Sequence, residues 1–228
     1  MSLKVKDDSS KVNLNFKFLI LGDSEIGKTS ILERYVNDSF KENYLVTVGV
    51  DKRLKYLKVN GFDMDLTLTD TAGQERFRSL SKMSYKNADG ILVGFALNSP
   101  QTLESVNFWI DQINNNTNKA GNVSLVLFGN KCDDEKNILV KKEKIDEISS
   151  KYGLKYFETS AKLNINIKNI FEYLVKETII KKGLLKKIGL NDNSNRDAIE
   201  IVEKENQRPR YDSKTHKKKK EKERILLI

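Results

Sequence analysis

One glycine-rich segment is the clearest candidate for chemistry in this sequence. It matches the pattern G-x-x-x-x-G-K-T and consists of Gly22, Asp23, Ser24, Glu25, Ile26, Gly27, Lys28 and Thr29. Glycines allow the main chain to approach phosphate oxygens closely, and the N-terminal end of a following helix adds positive potential. The Lys28 ammonium would contact the β- and γ-phosphates, and the Thr29 hydroxyl would bind Mg²⁺. The segment predicts a nucleotide phosphate site without identifying the base, because ATP and GTP carry the same phosphates.

Two later segments indicate which base the bound nucleotide carries. They are Asn130-Lys131-Cys132-Asp133 and Thr159-Ser160-Ala161-Lys162. Both follow predicted strands, and ligands bind at the carboxyl ends of the strands in open α/β sheets. A carboxylate such as Asp133 accepts hydrogen bonds from the ring N–H and the exocyclic amine of guanine, whereas adenine would leave that charge unpaired. An N-K-x-D segment alone is typical of ordinary turns, but together with the phosphate segment it predicts a guanine nucleotide.

The elements that must position these segments follow from hydrophobic periodicity. Short apolar or alternating runs predict strands, and Asn60-Gly61 between two alternating runs predicts a hairpin. The predicted strands are Phe16–Leu21, Asp51–Asn60, Phe62–Thr69, Gly90–Leu97, Ser124–Gly129 and Tyr156–Thr159. Apolar stripes at 103–113 and 167–178 predict helices between or after them. This alternation predicts a doubly wound α/β domain with a six-stranded, mostly parallel sheet and one antiparallel strand.

Composition separates a domain from its flanks. The chain has 228 residues and a net charge of +9, but residues 181–228 alone contain 15 Lys/Arg against 8 Asp/Glu. We therefore predict an N-terminal extension at 1–12, a folded domain at 13–182 and a basic, disordered tail at 183–228. The N-terminal residues lack the features of a secretory signal, and the single cysteine, Cys132, excludes an internal disulfide. These features predict a cytoplasmic protein.

With these motifs in order, the sequence resembles the Ras superfamily, and most closely its Rab branch, over roughly Asn15 to Ile180. Thr47 lies eighteen residues after Thr29, where that family places its switch I threonine. The third family motif is Asp70-Thr71-Ala72-Gly73-Gln74-Glu75, and Arg76-Phe77-Arg78 after it is Rab-like. The resemblance implies the small-GTPase version of the P-loop NTPase fold, with GTP, GDP and Mg²⁺ as ligands.

The resemblance also implies roles for individual residues. Thr29, Thr47 and Asp70 would hold Mg²⁺, and Gln74 would orient the attacking water with Lys28 and Thr47 as its catalytic partners. Thr47 and Gly73 would sense the γ-phosphate. Further residues expected to contact the nucleotide are Ser30, Phe40, Tyr44, Asn130, Lys131, Asp133, Ser160, Ala161 and Lys162. Phe40 would pack across the guanine ring, and the N–H of Ala161 would meet the guanine carbonyl oxygen.

Glu25 departs from the family pattern, because Rab proteins usually have glycine at that position. A carboxylate near the phosphates would repel them, and a side chain would strain a backbone suited to glycine. Weaker nucleotide binding or faster exchange is therefore expected. The alternative is that Glu25 points into solvent, where water and salt screen its charge.

Two further departures concern partners. Rab effectors usually contact three exposed aromatic residues, but two of those positions are Lys52 and Thr69 here, and only Tyr85 is aromatic. Loss of two apolar anchors puts binding of ordinary Rab effectors in doubt. The tail has no cysteine, so we expect no prenyl anchor. The lysine run at 217–220 is compatible with a solvated tail, with weak contact to anionic endomembranes, or with nuclear import or nucleic-acid contact, of which the solvated tail is the simplest.

These observations predict a slow GTPase switch in vesicle trafficking that works with an exchange factor, a GTPase-activating protein and effectors. One alternative is a scaffold that holds nucleotide permanently without hydrolysing it, against which Gln74, Thr47 and Lys28 argue. Another is an ATP-using P-loop kinase, which Asp133 disfavours because its carboxylate suits guanine rather than adenine.

Overall fold

A single mixed sheet organises the chain. The computed structural model describes residues 13–42, 50–71, 85, 87–117 and 123–204. Within these ranges the strands are β1 (Leu14–Leu21), β2 (Val50–Val59), β3 (Phe62–Thr71), β4 (Gly90–Ala96), β5 (Ser124–Asn130), β6 (Lys155–Glu158) and β7 (Ile201–Glu203). Their order in the sheet is β6-β5-β4-β1-β3-β2-β7. All neighbouring pairs are parallel except β2–β3 and β2–β7, so β2 alone runs against the other strands.

Helices cover both faces of the sheet. They are α1 (Lys28–Asn37), α2 (Pro100–Asn116), α3 (Lys142–Tyr152) and α4 (Ile167–Lys181), with short 3₁₀ turns at Glu135–Asn137, Leu185–Ile188 and Arg196–Ala198. Phe16, Phe18 and Ile20 of β1 pack in the core beneath α1 and α4. Leu19 and Leu21 point the other way, into the core beneath α2 and α3. The predicted doubly wound α/β fold is confirmed. None of the helices in the described ranges has the length and hydrophobicity that a membrane span requires.

The central strands bring the predicted motifs to one edge of the sheet. β1, β3, β4 and β5 are parallel, so their carboxyl ends lie side by side. Gly22 follows β1, Asp70 lies at the end of β3, Asn130 ends β5 and Thr159 follows β6. The main chain joins β5 directly to the segment after β6, because the Thr159 amide donates to the Gly129 carbonyl at 2.8 Å. Segments more than a hundred residues apart in sequence therefore meet at this edge.

The segment after α4 differs from the sequence-based prediction. The prediction of a disordered tail from residue 183 was wrong for residues 183–204, and the predicted six strands are seven in the described residues. Leu185, Ile188 and Ile199 are each at most 5% exposed and belong to the core under α1 and α4. The charged and polar composition of the whole tail favoured disorder, although apolar residues recur at 184–190 and 198–202, and the packing shows that several of them join the core. Residues 1–12 and 205–228 lie outside the described residues.

Strand β7 is held by charge as well as by the main chain. The Asn60 amide donates to the Glu200 carbonyl at 3.0 Å, and the Lys204 amide donates to the Tyr56 carbonyl at 3.1 Å. Lys55 is 6% exposed, and its ammonium lies 2.8 Å from a Glu203 carboxylate oxygen and donates to the Tyr35 carbonyl at 3.0 Å. Burying an ammonium group is costly unless such partners accept its hydrogen bonds. The segment 183–204 therefore covers one end of the outer edge of β2.

Candidate functional site

The glycine-rich segment forms the turn between β1 and α1. Gly22 has φ of 143° and Gly27 has φ of 95°, in the region that side chains disfavour. A Cβ on Gly22 would lie 2.4 Å from the Gly94 carbonyl oxygen, and one on Gly27 would lie 2.4 Å from Nδ2 of Asn130. These distances require glycine at both positions. The resulting loop leaves main-chain groups open to a close-fitting ligand such as a phosphate.

The Lys28 side chain folds back onto this loop. It is 5% exposed, and its ammonium donates to the carbonyl of Gly22 at 2.8 Å and to that of Asp23 at 2.7 Å. The loop carbonyls thus hold a buried positive charge at the end of β1. A phosphate bound by the loop amides would gain from this charge at short range.

Asp70 and Thr29 form a second polar centre beside the loop. The Thr29 hydroxyl donates to Oδ2 of Asp70 at 2.6 Å, and Asp70 is fully buried. Burial raises the pKa of Asp70, and this rise is opposed by the hydrogen bond from Thr29 and by the charges of Lys28 and Arg53. Oδ1 of Asp70 has no hydrogen-bond partner in the part of the chain that the structure describes. An unpartnered buried carboxylate oxygen next to a hydroxyl fits a hard divalent cation such as Mg²⁺.

Asn130 links the phosphate loop to the segment after β6. Its side-chain amide donates to the Ile26 carbonyl at 2.7 Å, and its side-chain oxygen accepts from the Ala161 amide at 3.3 Å. Lys131, the next residue, has a left-handed φ of 69°. Beyond it, Asp133 accepts a hydrogen bond from the Ser160 hydroxyl at 2.6 Å. The two segments that were predicted to recognise the base are therefore in direct contact.

An open groove of about 900 Å³ runs past these residues. The predicted site residues that line it are Glu25, Gly27, Thr29, Ser30, Phe40, Asn130, Lys131, Asp133, Ala161 and Lys162. Gly22 and Lys28 lie in the loop at its end, Ile26 and Ser160 are buried, and Asp23 and Ser24 are half-buried. Four predicted site residues, Tyr44, Thr47, Gly73 and Gln74, lie outside the described residues. The groove is large enough for a nucleotide, because ligand sites commonly measure ~300–1,000 Å³.

Comparison with known proteins shows which protein family this chain resembles. The model of the Ras family matches residues 17–180. The chain is 35% identical to the Ras-related protein Rab-13 of Bos taurus over 168 residues, which are 74% of this chain and 82% of that protein. It is 36% identical to Rab-10 of Diplobatis ommata over 169 residues, covering 74% and 84%, and 35% identical to Rab-8A of Bos taurus over 173 residues, covering 76% and 82%.

The chain belongs to the Ras family. It is a Rab-like small GTPase, and binding of guanine nucleotides follows from that membership. The expected resemblance is confirmed. The match to the family model begins within β1 and ends within α4, so the packed segment at 183–204 of this GTPase, with strand β7, lies beyond it.

The positions expected to bind effectors have a distinct structure in this GTPase. Lys52 of β2 is exposed and lies opposite the half-buried Thr69 of β3. Tyr85 is only 2% exposed, so the expectation that it is an exposed aromatic contact is wrong. Burial also raises the pKa of Tyr85 to about 12, which keeps its hydroxyl protonated. The apolar ring packs into the core beneath α2 and α3 instead.

Three residues near the groove were not predicted from the sequence to have a role there. Trp109 of α2 donates to the Asp23 carboxylate, Arg34 of α1 donates to carbonyls of the segment after β6, and Arg53 of β2 pairs with Glu33 at the groove wall. Trp109 had only the signature of a core residue in a helical stripe. An arginine on a helix or strand carries no sequence signal for its partner, whether that partner is 127 positions away, as for Arg34 and Ala161, or 20, as for Arg53 and Glu33.

Proposed function

We propose that this GTPase is a magnesium-dependent switch that alternates between GTP and GDP and acts in vesicle trafficking. The main support is the meeting of the phosphate loop, the Thr29–Asp70 pair and Asp133 along one groove. The groove therefore contains groups that suit the phosphates, the bound metal ion and the guanine base of one nucleotide. The rival that hydrolyses nothing, a permanent nucleotide scaffold, predicts the same groove and differs only in turnover.

Within this proposal each described residue has a task that its geometry allows. Lys28 and the loop amides bind the β- and γ-phosphates, and Asp133, oriented by Ser160, accepts hydrogen bonds from guanine. Thr29 and Asp70 would hold Mg²⁺, which supplies charge neutralisation when bound. Phe40 is half-buried at the groove wall and would pack on the base.

The remaining tasks fall to residues outside the described ranges. By family resemblance, Gln74 orients the attacking water, and Thr47 and Gly73 contact the γ-phosphate. Tyr44 completes the nucleotide contacts. Loss of the γ-phosphate would release the segments that carry these residues, which is the signal that partners detect. We propose that hydrolysis is slow without an arginine supplied by an activating protein.

Partners and location follow from the same resemblance. We propose an exchange factor, a GTPase-activating protein and effectors that distinguish the two nucleotide states. The exposed Lys52 and the half-buried Thr69 replace aromatic anchors, so effectors of this chain would be more polar or acidic at that point. We place the protein in the cytoplasm with peripheral contact to endomembranes. A pull-down with a generic Rab effector that captures the GTP form normally would contradict the effector proposal.

The decisive experiment starts with the nucleotide content of the purified protein. Guanine nucleotide is expected in the presence of Mg²⁺, and Asp133→Ala should abolish the preference for GDP over ADP in dissociation assays. Single-turnover hydrolysis then separates the switch from the scaffold, because Gln74→Leu should slow a measurable wild-type rate. Absence of bound guanine nucleotide would refute the proposal, and absence of any hydrolysis with an activating protein present would favour the scaffold.

A further inference from the structure

Arg34 makes an unusually complete set of main-chain contacts for a surface helix residue. From α1, its Nε donates to the Ala161 carbonyl at 3.0 Å and one terminal nitrogen donates to the Lys162 carbonyl at 3.1 Å. The other terminal nitrogen donates to the Asp38 carbonyl at 3.0 Å and approaches its carboxylate at 3.3 Å. One planar guanidinium therefore holds three carbonyl groups from two separate segments.

These carbonyls belong to the segments that would surround the base in the proposed site. Ala161 and Lys162 line the groove beside Asp133, and the Ala161 amide points toward Asn130 at 3.3 Å. Asp38 ends α1 with a left-handed φ of 49° and precedes the groove residue Phe40 by two positions. Arg34 thus joins the main chain on one side of the proposed base site to the main chain that leads to the other.

Two weaker contacts join the same two segments. The Asn164 side-chain amide donates to the Asp38 carboxylate at 3.2 Å, and the Lys162 ammonium lies 3.5 Å from the Glu42 carboxylate. These pairs involve exposed groups, which contribute little on their own. The Arg34 side chain is 16% exposed while that of Asp38 is 79% exposed, so the bonds to the carbonyls carry most of the connection.

Because the guanidinium is planar and rigid, it can make these hydrogen bonds only when the carbonyls have particular orientations. Its donors have fixed directions, so two successive carbonyls can be held at once only if the peptide planes at 161 and 162 keep one orientation. Arg34 fixes the peptide unit that follows the Ala161 Cα through its carbonyl, and Oδ1 of Asn130 restrains the unit before it through the Ala161 amide, so the two contacts together limit both torsions of this residue. Ala161 is 3% exposed, but Lys162 beside it is exposed, so without Arg34 the peptide units on either side of Lys162 would have more conformational freedom, and ordering them would cost binding free energy.

We propose that Arg34 is a positioning residue for guanine recognition. It holds the main chain at 161–162 so that the Ala161 amide faces the carbonyl oxygen of the base, and it couples that segment to the one that carries Phe40. The inference rests on the proposed nucleotide site, because the base contact itself belongs to that proposal. It assigns to Arg34 a specificity that a purely structural ion pair would not have.

The test compares nucleotides that differ only in the base. Dissociation rates are measured for GDP, for inosine diphosphate, which keeps the carbonyl oxygen but lacks the exocyclic amine, and for 2-aminopurine riboside diphosphate, which lacks both the oxygen and the ring N–H. Each rate is compared between wild type and variant with the same nucleotide, so the missing N–H affects both proteins alike. Arg34→Ala should accelerate release of GDP and of inosine diphosphate by on the order of tenfold, as loss of a charge-assisted hydrogen bond predicts. It should leave release of the analogue without the oxygen nearly unchanged.

Matched variants separate positioning from stability. Arg34→Lys supplies one compact ammonium in place of the planar fork, so it should recover only part of the effect. Arg196→Ala removes an arginine that pairs with Glu177 and stacks over Tyr173, contacts made by helix α4 rather than the groove, and should leave all three rates unchanged. Thermal unfolding of each variant with GDP bound checks that the fold is intact.

Three results would overturn the inference. One is an equal acceleration for all three nucleotides in Arg34→Ala, another is wild-type behaviour of that variant, and the third is full recovery by Arg34→Lys. Failure of the wild-type protein to bind any guanine nucleotide would instead refute the proposed function itself. The two failures are therefore distinguishable.

Discussion

The indole Nε1 of Trp109 donates a hydrogen bond to Oδ1 of Asp23 at 2.8 Å, although the two residues are 86 positions apart. Trp109 is 7% exposed on α2, and Asp23 belongs to the phosphate loop. The carbonyl of the same Asp23 accepts the Lys28 ammonium at 2.7 Å. Helix α2 therefore supports the residue whose carbonyl holds the Lys28 ammonium, and we expect a change in the loop to reach the indole through this contact.

Removing that indole donor should loosen the loop. Trp109→Phe keeps an aromatic ring but leaves the Asp23 carboxylate without its partner, so we expect nucleotide release to accelerate about fivefold, equivalent to roughly 1 kcal/mol. Release of a fluorescent GDP analogue measures the rate. Asp23→Asn keeps an acceptor oxygen and is expected to remain closer to wild type. Identical release from wild type and Trp109→Phe would contradict the role of this hydrogen bond.

Trp109 also provides a spectroscopic signal, because it is the single tryptophan of the chain. We expect its fluorescence to change when nucleotide and Mg²⁺ are removed together, since the hydrogen bond to Asp23 depends on the conformation of the loop. The Asp23→Ala variant lacks the acceptor and should show a smaller change. A signal of equal size in both proteins would show that the indole responds to something other than this contact.

Glu25 combines an exposed carboxylate with a backbone φ of 64°, so its charge and its strain are separable by substitution. Glu25→Gln removes the charge and should slow nucleotide release modestly at low salt, where repulsion of the phosphates is least screened. Glu25→Gly also relieves the left-handed backbone, which costs about 1 kcal/mol for a residue with a side chain, and should slow release further. Equal rates for wild type and Glu25→Gly would support the alternative of a screened side chain.

The ion pair between Glu33 and Arg53 should make stability depend on pH. Burial tends to raise the pKa of Glu33, but hydrogen bonds from Ser39, Asn37 and Arg53, with the charge of Arg53, hold it below its ordinary value of 4.5. A carboxylate with a lowered folded-state pKa stabilises the fold above its unfolded-state pKa, and that contribution disappears as pH falls through the folded-state pKa.

The comparison uses Glu33→Gln, which cannot titrate. Its deficit in free energy of unfolding relative to wild type should be constant near neutral pH and begin to shrink as pH falls below about 4.5. It should disappear as pH passes through the lower folded-state pKa, where Glu33 of the folded wild type also becomes neutral. Glu104→Gln, an exposed position on α2, is the control. A deficit that does not shrink under acid conditions would assign the stabilisation to packing instead of charge.

The packed segment after α4 should contribute measurably to stability. Ile188 and Ile199 are each 1% exposed, whereas Val202 in the same segment is 58% exposed. Ile188→Ala or Ile199→Ala should cost about 2–4 kcal/mol, the range for a buried aliphatic side chain, as measured by denaturant unfolding. Val202→Ala should cost much less. Similar small losses at all three positions would mean that the segment does not form part of the core in solution.

The sequence by itself determined the class of fold, the family and the placement of the nucleotide motifs at strand ends. Strong local signals made this possible: the G-x-x-x-x-G-K-T pattern at 22–29, the Asn60-Gly61 pair between alternating runs, and short, nearly continuous apolar runs. Only the tertiary structure decided which residues support those motifs. Trp109 has its partner 86 positions away and Arg34 has one 127 positions away, and Ile188 and Ile199 join the core from a tail whose overall composition predicted disorder. Periodicity reports only neighbours along the chain, whereas a hydrogen bond or a buried contact between distant segments depends on how the sheet brings them together.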